Sequence, residues 1–247
     1  MQDLKNIRLI VFDMAGTTVT DQKEVEGCFE QAALKTGLNM TTEEITAVQG
    51  WSKEFVFRSF WSRQLPASPL EAATKAENSY SVFRDILENH YQTVKKVIPT
   101  EGCIKLLTYL KEKNIKVALT TGFYRKVCDI ILDRIGWKSG LGAQNLGTPD
   151  SLISFSVCSD EVGRGRPAPD MIFKAMRALN ITDPASVINI GDTPSDLQSG
   201  INAGVLKSFG LSNGTHTSAQ LSCLENDGIY TSLAHFHEEF KNALTGQ

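Results

Sequence analysis

Three short apolar runs, far apart in the chain, each end on a polar residue that can do chemistry. That repetition limits the fold more than any other feature. Ile7 to Phe12 runs into Asp13, Lys116 to Leu119 into Thr120-Thr121-Gly122, and Ser186 to Ile190 into Gly191-Asp192. Each run suits a buried strand and is too short for a helix. Amphipathic stretches of helical period, such as Ile104 to Lys113 and Met171 to Leu179, lie between them. Strands and helices alternating at this spacing predict a parallel sheet covered on both faces. In such a sheet the loops that follow the strands share one edge, and ligands bind there. Asp13, Thr121 and Asp192 are therefore expected to converge.

The segment between the first two runs has a different pattern. From Val19 to Lys96 the apolar residues fall at helical spacing: Phe29, Ala33 and Leu34, then Phe55, Val56 and Phe60, then Tyr80, Phe83, Ile86 and Leu87. No strand-like run interrupts them, and Pro99 and Gly102 mark the return to the core pattern. At 247 residues the chain can hold one core and a smaller companion. The expected organisation is a core of residues 1–18 and 97–247, with an all-helical segment, 19–96, inserted after the first strand. Residues 139–154, rich in Gly, Ser, Asn and Pro, read as an extended loop.

Composition narrows the partners. There are 25 Lys and Arg against 28 Asp and Glu, a net charge of −3. No basic field is therefore available to draw nucleic acid or anionic lipid. The N-terminus carries Asp3, Lys5 and Arg8 around a short apolar run, which gives neither a signal peptide nor a membrane span. The five cysteines are scattered, odd in number and without Cys-x-x-Cys spacing. They suit reduced thiols in a cytoplasmic protein. The expected partner is a small molecule, with no nucleic acid and no membrane; a homodimer stays open.

The stretch Leu9-Ile10-Val11-Phe12-Asp13-Met14-Ala15-Gly16-Thr17-Thr18 delivers one carboxylate onto a turn that Gly16 and the threonines can shape. Such an Asp can bind a metal or attack phosphorus, although alone it is better explained by capping a turn. Two residues on, where a second carboxylate could donate a proton, stands Ala15. Thr121 and the N–H groups beside it can bind a phosphoryl oxygen; an N-cap Thr in a plain strand-to-helix turn explains it equally. Arg164-Gly165-Arg166-Pro167 offers a guanidinium able to grip phosphate through two donors. Gly191-Asp192 is followed by Asp196, and hard oxygen ligands of this kind suit Mg²⁺ better than zinc. Thr193-Pro194 reads as the start of a capped helix.

In this order the four stretches resemble the signatures of the haloacid dehalogenase superfamily, whose Asp-x-x-Gly-Thr holds a nucleophilic aspartate. The Asp-x-Ala-Gly-Thr-Thr form is similar to that of the phosphonatases and phosphonatase-like proteins, and the resemblance covers nearly the whole chain. It implies a Rossmann-like α/β core whose parallel sheet carries an all-helical cap after the first strand. The cap would close like a lid, hinged near Val19-Thr20 and Val97-Pro99. It also implies a Mg²⁺-dependent hydrolase in which Asp13 becomes an aspartyl phosphate while Thr121 and Arg166 hold the phosphoryl charge. Asp13, Ala15, Asp192 and Asp196 would form the metal site, Asp196 orienting that shell or Arg166. The phosphonatase pattern Gly-Arg-Pro maps to Gly165-Arg166-Pro167, which favours Arg166 over Arg164.

Gly50-Trp51-Ser52-Lys53 resembles the phosphonatase cap segment Gly-x-x-Lys, whose lysine forms a Schiff base with the aldehyde of phosphonoacetaldehyde. The carbon–phosphorus bond then breaks because its electrons drain into an enamine. The resemblance gives Lys53 that role, and places Ala15, Gly50, Gly122 and Phe123 around the substrate. Lys53 is expected to face the cleft over Asp13. Characterised phosphonatases carry Met before that glycine and His three residues after the lysine; here these are Gln49 and Val56. Cys28 reads as a buried helix residue. The expected reaction is cleavage of the C–P bond of phosphonoacetaldehyde or a related small phosphonate. The alternatives are a phosphatase for a small phosphorylated metabolite, such as a phosphoglycolate-like ester, and a silent binder of phosphorylated ligands.

Overall fold

The structure, a computed structural model, describes Leu4 and residues 6–245. Asp3, Lys5 and the outermost residues of the expected 1–18 and 97–247 segments lie outside the described residues. Six strands form one parallel sheet: β1 (Leu9–Phe12), β2 (Lys116–Thr121), β3 (Phe155–Cys158), β4 (Val187–Gly191), β5 (Lys207–Leu211) and β6 (Ile229–Tyr230). Their order across the sheet is β3-β2-β1-β4-β5-β6. The reason β1 reads as an unbroken apolar run is that both faces of the sheet are covered. Ile10 and Phe12 join one buried cluster, with Leu106 and Leu107; Leu9 and Val11 join another, with Met171 and Ile172.

Strand order reverses at β1, with β2 and β3 on one side and β4 to β6 on the other. Such a switch opens a crevice at the carboxyl ends of the flanking strands, here β1 and β4. Phe12 pairs with Leu119 of β2 and Ile190 of β4. The next residue, Asp13, donates its N–H to the Ile190 carbonyl at 3.0 Å. The register thus places Asp13 between the loops that follow β2 and β4.

Between β1 and β2 come α1 (Glu24–Thr36), α2 (Thr42–Ala47), α3 (Lys53–Gln64) and α4 (Pro69–Thr93), then α5 (Cys103–Glu112). The first four form their own aromatic core. Phe29 lies 5.4 Å from Phe57 and 4.5 Å from Phe83, with Phe57 and Phe83 5.5 Å apart between ring centroids. Helix α4 leans on α6 (Arg125–Arg134). There the Tyr124 hydroxyl donates to Glu88 at 2.9 Å, and Lys126 pairs with the same carboxylate at 2.6 Å. The two chain crossings into this helical region pair with each other: Thr20 N–H donates to the Ile98 carbonyl at 3.0 Å, and Thr100 N–H to the Thr18 carbonyl at 3.1 Å.

After β3 the chain forms α7 (Asp170–Ala178), α8 (Pro194–Ala203), α9 (Ser218–Ser222) and α10 (Leu233–Thr245). Helix α8 starts as its sequence indicates: Thr193 and Asp196 form a reciprocal capping box with Pro194 in the first turn. Three strands were not evident in the sequence. β3 has four residues, β6 has two, and β5 carries only Phe209 and Leu211 as large apolar side chains. The 139–154 region is loop with short 3-10 turns at Lys138–Gly140 and Ala143–Asn145, and Leu146 bridges back to Phe155. Among the described residues no helix is long and apolar enough to cross a membrane.

Candidate active site

The loops after β1, β3 and β4 bring together a buried cluster of opposite charges. The Arg166 guanidinium pairs with Asp13 through one nitrogen, which also lies 2.7 Å from Asp196, and its other nitrogen donates to the Thr120 hydroxyl. Arg166 is 5% exposed, whereas Arg164 points outward and pairs with Asp170 at 2.9 Å. Asp192 accepts from the Thr17 hydroxyl at 2.9 Å and from Thr215 N–H at 2.7 Å. Asp196 accepts from the hydroxyl of Thr193 at 2.6 Å and from its N–H at 3.1 Å. Thr121 turns its hydroxyl oxygen to Phe123 N–H at 3.1 Å; the N-cap of α6 is Tyr124 instead.

Carboxyl oxygens of Asp13, Asp192 and Asp196 all lie within 4.8 Å of one another. Burial raises the pKa of Asp13 against the pull of Arg166, and Asp196 and Asp192 raise it further. Burial and then Asp196 push Asp192 up to about 6, against the bonds from Thr215 and Thr17. Three buried carboxylates facing one guanidinium leave an excess of negative charge. Hard oxygen donors with that excess fit a divalent cation such as Mg²⁺. Its charge would restore the ionised forms that burial disfavours.

The loop from Val48 to Ser52 presses into this crevice. A side-chain carbon on Gly122 would lie 2.5 Å from the Trp51 carbonyl oxygen and 2.6 Å from that of Gly50. Gly50 itself has φ +81°, and a side-chain carbon there would collide with Ser195 and stand 2.6 Å from the Thr193 hydroxyl. Backbone approach this close admits glycine alone. Under the loop remains a cavity of about 20 Å³, whose walls include Asp13, Ala15, Gly50, Lys53, Thr121, Gly122 and Phe123. Ala15, Gly50, Gly122 and Phe123, expected around the substrate, thus share one space with Asp13, Lys53 and Thr121, while Arg166 adjoins it through its pair with Asp13.

Lys53, the first residue of α3, is 3% exposed. Its amine lies 5.3 Å from the centre of the Phe29 ring and 5.6 Å from that of Phe123. Loss of water drops its pKa from the ordinary 10.5 to about 8, although Asp13 and Asp21 pull the other way. A buried amine of this kind is partly neutral near physiological pH and so able to act as a nucleophile. Val56, one helical turn on, is fully buried and offers the amine no polar neighbour. Cys28 is buried in α1, and burial pushes its thiol up to about 12, so it stays protonated.

Several residues at the site carry no signal in the sequence. Asp21 lines the same cavity yet stands in no motif, and Gln49, which lines it too, was noticed only as the residue in place of a phosphonatase Met. Thr120 and Thr215 hold Arg166 and Asp192, and only hydroxyl-rich turns at Thr120-Thr121 and Asn213-Gly214-Thr215 hint at them. Thr17, noticed only as a turn residue, holds Asp192.

The sequence model of the haloacid dehalogenase-like hydrolase family matches residues 10–208. The phosphonoacetaldehyde hydrolase of Latilactobacillus sakei is 31% identical over 211 residues, covering 82% of this chain and 75% of that one. The Bacillus cereus protein of the same name is 30% identical over 214 residues, covering 81% and 74%. A solved phosphonoacetaldehyde hydrolase-like protein from Oleispira antarctica superposes with a TM-score of 0.73 at 19% identity, covering 98% of this chain and 95% of its own. A hydrolase from Pseudomonas syringae gives 0.74 at 18%, covering 95% and 98%. At such identities the structural likeness concerns the fold alone.

Proposed function

This chain belongs to the haloacid dehalogenase-like hydrolases, and from that premise we propose that it cleaves the carbon–phosphorus bond of phosphonoacetaldehyde or a close small relative. The observation that carries this reading is the Lys53 amine, buried in the same cavity as Asp13, with the methyl group of Ala15 where a proton donor would otherwise stand. A phosphate ester leaves as an alkoxide and needs a donor. A leaving group drained into an iminium does not.

In this mechanism the neutral Lys53 amine adds to the aldehyde carbon and, with loss of water, becomes an iminium. Asp13 attacks phosphorus in line with the breaking bond, whose electrons pass into the iminium. Phosphate is then held on Asp13 and an enamine on Lys53. Protonation at carbon and hydrolysis return the amine and acetaldehyde, and a second water frees phosphate from Asp13. Arg166 and Thr121 hold the phosphoryl oxygens, while Asp196 and Thr120 fix Arg166. Asp13, Asp192 and Asp196, with the main chain at Ala15, would hold Mg²⁺, whose charge would let the phosphonate approach a carboxylate. Residues 19–96 act as the cap and the remainder as the core. The paired crossings near Thr20 and Ile98 serve as the hinge that admits substrate. A cytoplasmic setting agrees with five free cysteines.

Borohydride added with phosphonoacetaldehyde should leave a covalent adduct on Lys53. Full activity of Lys53→Ala, with no adduct in the parent, removes the Schiff base. Val56 favours a second reading, in which Lys53 merely grips a phosphate ester. In that case Ala15→Asp should raise ester turnover.

A further inference from the structure

The cavity beneath the Val48–Ser52 loop has one wall that the mechanism above leaves idle. Asp21, Gln49 and Thr215 belong to it, and the same three residues line an outer cavity of about 230 Å³ with Lys23, Glu26 and Gln220. They form the partition between the buried amine and the outside. Gln49 is 6% exposed, and its side-chain Nε2 has no hydrogen-bond partner among the described residues. Its backbone is fixed: the N–H donates to Thr46 at 3.2 Å and the carbonyl accepts from Ser195 at 3.3 Å. A buried donor without an acceptor is costly and rarely kept without use. Asp21 is held as firmly, its Oδ1 accepting from the N–H groups of Glu24 at 2.8 Å and Val25 at 3.4 Å. Burial and the adjacent Glu24 push its pKa up to about 8, so near neutral pH it keeps a proton.

The other polar groups around this space are engaged. Asp13 faces Arg166, Thr193 faces Asp196, Thr121 faces Phe123 N–H and Thr215 faces Asp192. The donor left over, the Gln49 amide, and the Asp21 carboxyl, whose proton is shared with Glu24, line the cavity with the Lys53 amine, which lies against aromatic rings and a buried valine. An aldehyde whose carbon meets Lys53 must put its oxygen somewhere, and its phosphonate end belongs to Arg166.

We propose that Gln49 and Asp21 are further catalytic residues: the Gln49 amide donates to the carbonyl oxygen as Lys53 adds to the carbon, and the Asp21 carboxyl gives that oxygen the proton with which it leaves. The balance closes. Neutral amine, aldehyde and carboxylic acid become iminium, water and carboxylate, with one amine proton and the Asp21 proton departing on the oxygen. Asp21 regains a proton from solvent through the outer cavity. The proposal rests on the Schiff-base reading and goes beyond it, since that reading names no group for the oxygen.

The test is the initial rate at which borohydride traps phosphonoacetaldehyde on Lys53, read by mass spectrometry in the parent, Gln49→Leu and Asp21→Asn. Both substitutions nearly keep the side-chain volume, and Asn retains an oxygen for the Glu24 N–H. Capture of beryllium fluoride with Mg²⁺ at Asp13 is measured alongside as a report on the phosphoryl site. The expected result is a loss of roughly 100-fold in trapping rate in each variant, with beryllium fluoride capture unchanged. Trapping at the parental rate in both variants overturns the proposal and leaves the Schiff base standing. A trapping loss matched by an equal loss of beryllium fluoride capture also overturns it, because the residues then serve only the fold. A parent that forms no adduct overturns the Schiff base and this proposal together.

Discussion

Removing the nucleophile should make the lysine more reactive. Lys53 owes its depressed pKa to burial, and the carboxylate that most opposes the shift is Asp13. At about 8, against the ordinary 10.5, roughly one amine in ten is neutral at pH 7, where an exposed lysine would offer about one in 3,000. Arg166, paired with Asp13, keeps part of that carboxyl ionised against burial even without a metal; Asp13→Asn deletes this charge and leaves Arg166 unmatched, so the Lys53 pKa falls further. The neutral fraction at pH 7 then rises towards unity, a gain of at most about tenfold. The assay is borohydride trapping of acetaldehyde, a probe without phosphorus, in chelator at pH 7 and across a pH series. The parent should show an inflection near pH 8, and Asp13→Asn should trap faster at pH 7 with its inflection moved down. A variant that traps at the parental rate or slower, although folded, would refute the claim that the two groups share one electrostatic site.

Lys53→Met should stabilise the protein, because an ammonium 3% exposed is replaced by an apolar chain. The folded pKa lies below the unfolded one, so the native state carries the full penalty below about pH 8 and loses it as pH rises towards 10.5. Urea unfolding should therefore show a gain of about 3 kcal/mol at pH 7 that fades above pH 8. Arg166→Met strands Asp13 and Asp196 and should cost roughly 3–5 kcal/mol. Thermal unfolding should also show Mg²⁺ recovering more stability in this variant than in the parent. Gly122→Ala puts a carbon 2.5 Å from the Trp51 carbonyl, so the Val48–Ser52 loop must lift. The trapping inflection of Lys53 should then move up from about 8, and an inflection that stays in place would show that loop seating does not set the burial of the amine.

The sequence revealed those parts of the molecule in which local pattern and final structure agree. β1 is apolar throughout because both its faces are covered, so its four residues stand out and point to Asp13. Thr193-Pro194 starts a helix wherever it lies, because its capping box is closed by Asp196 three residues on. β3 and β6 depend instead on their neighbours. Phe155–Cys158 gains its strand from pairing with β2, and Ile229–Tyr230 from pairing with β5. Of the two arginines, the structure buries Arg166 and leaves Arg164 at the surface, a difference that spacing alone does not contain. The role of Asp21 and Gln49 was hidden for another reason. Asp21 is a single polar residue in a helical segment and Gln49 was noticed only for standing where phosphonatases carry Met; what gives both a use is the wall they share with Lys53, which exists only once the loop is seated.

On the proposed function, Lys53 and Asp13 act on a single substrate to break a carbon–phosphorus bond. Phosphorus NMR of phosphonoacetaldehyde with the parent and Mg²⁺, paired with an assay for acetaldehyde, measures this directly. Phosphate and acetaldehyde should appear in equal amounts, and neither should appear with Lys53→Met or Asp13→Asn. Release of phosphate from small phosphate esters at full rate by Lys53→Met, with the phosphonate untouched by the parent, would contradict the claim.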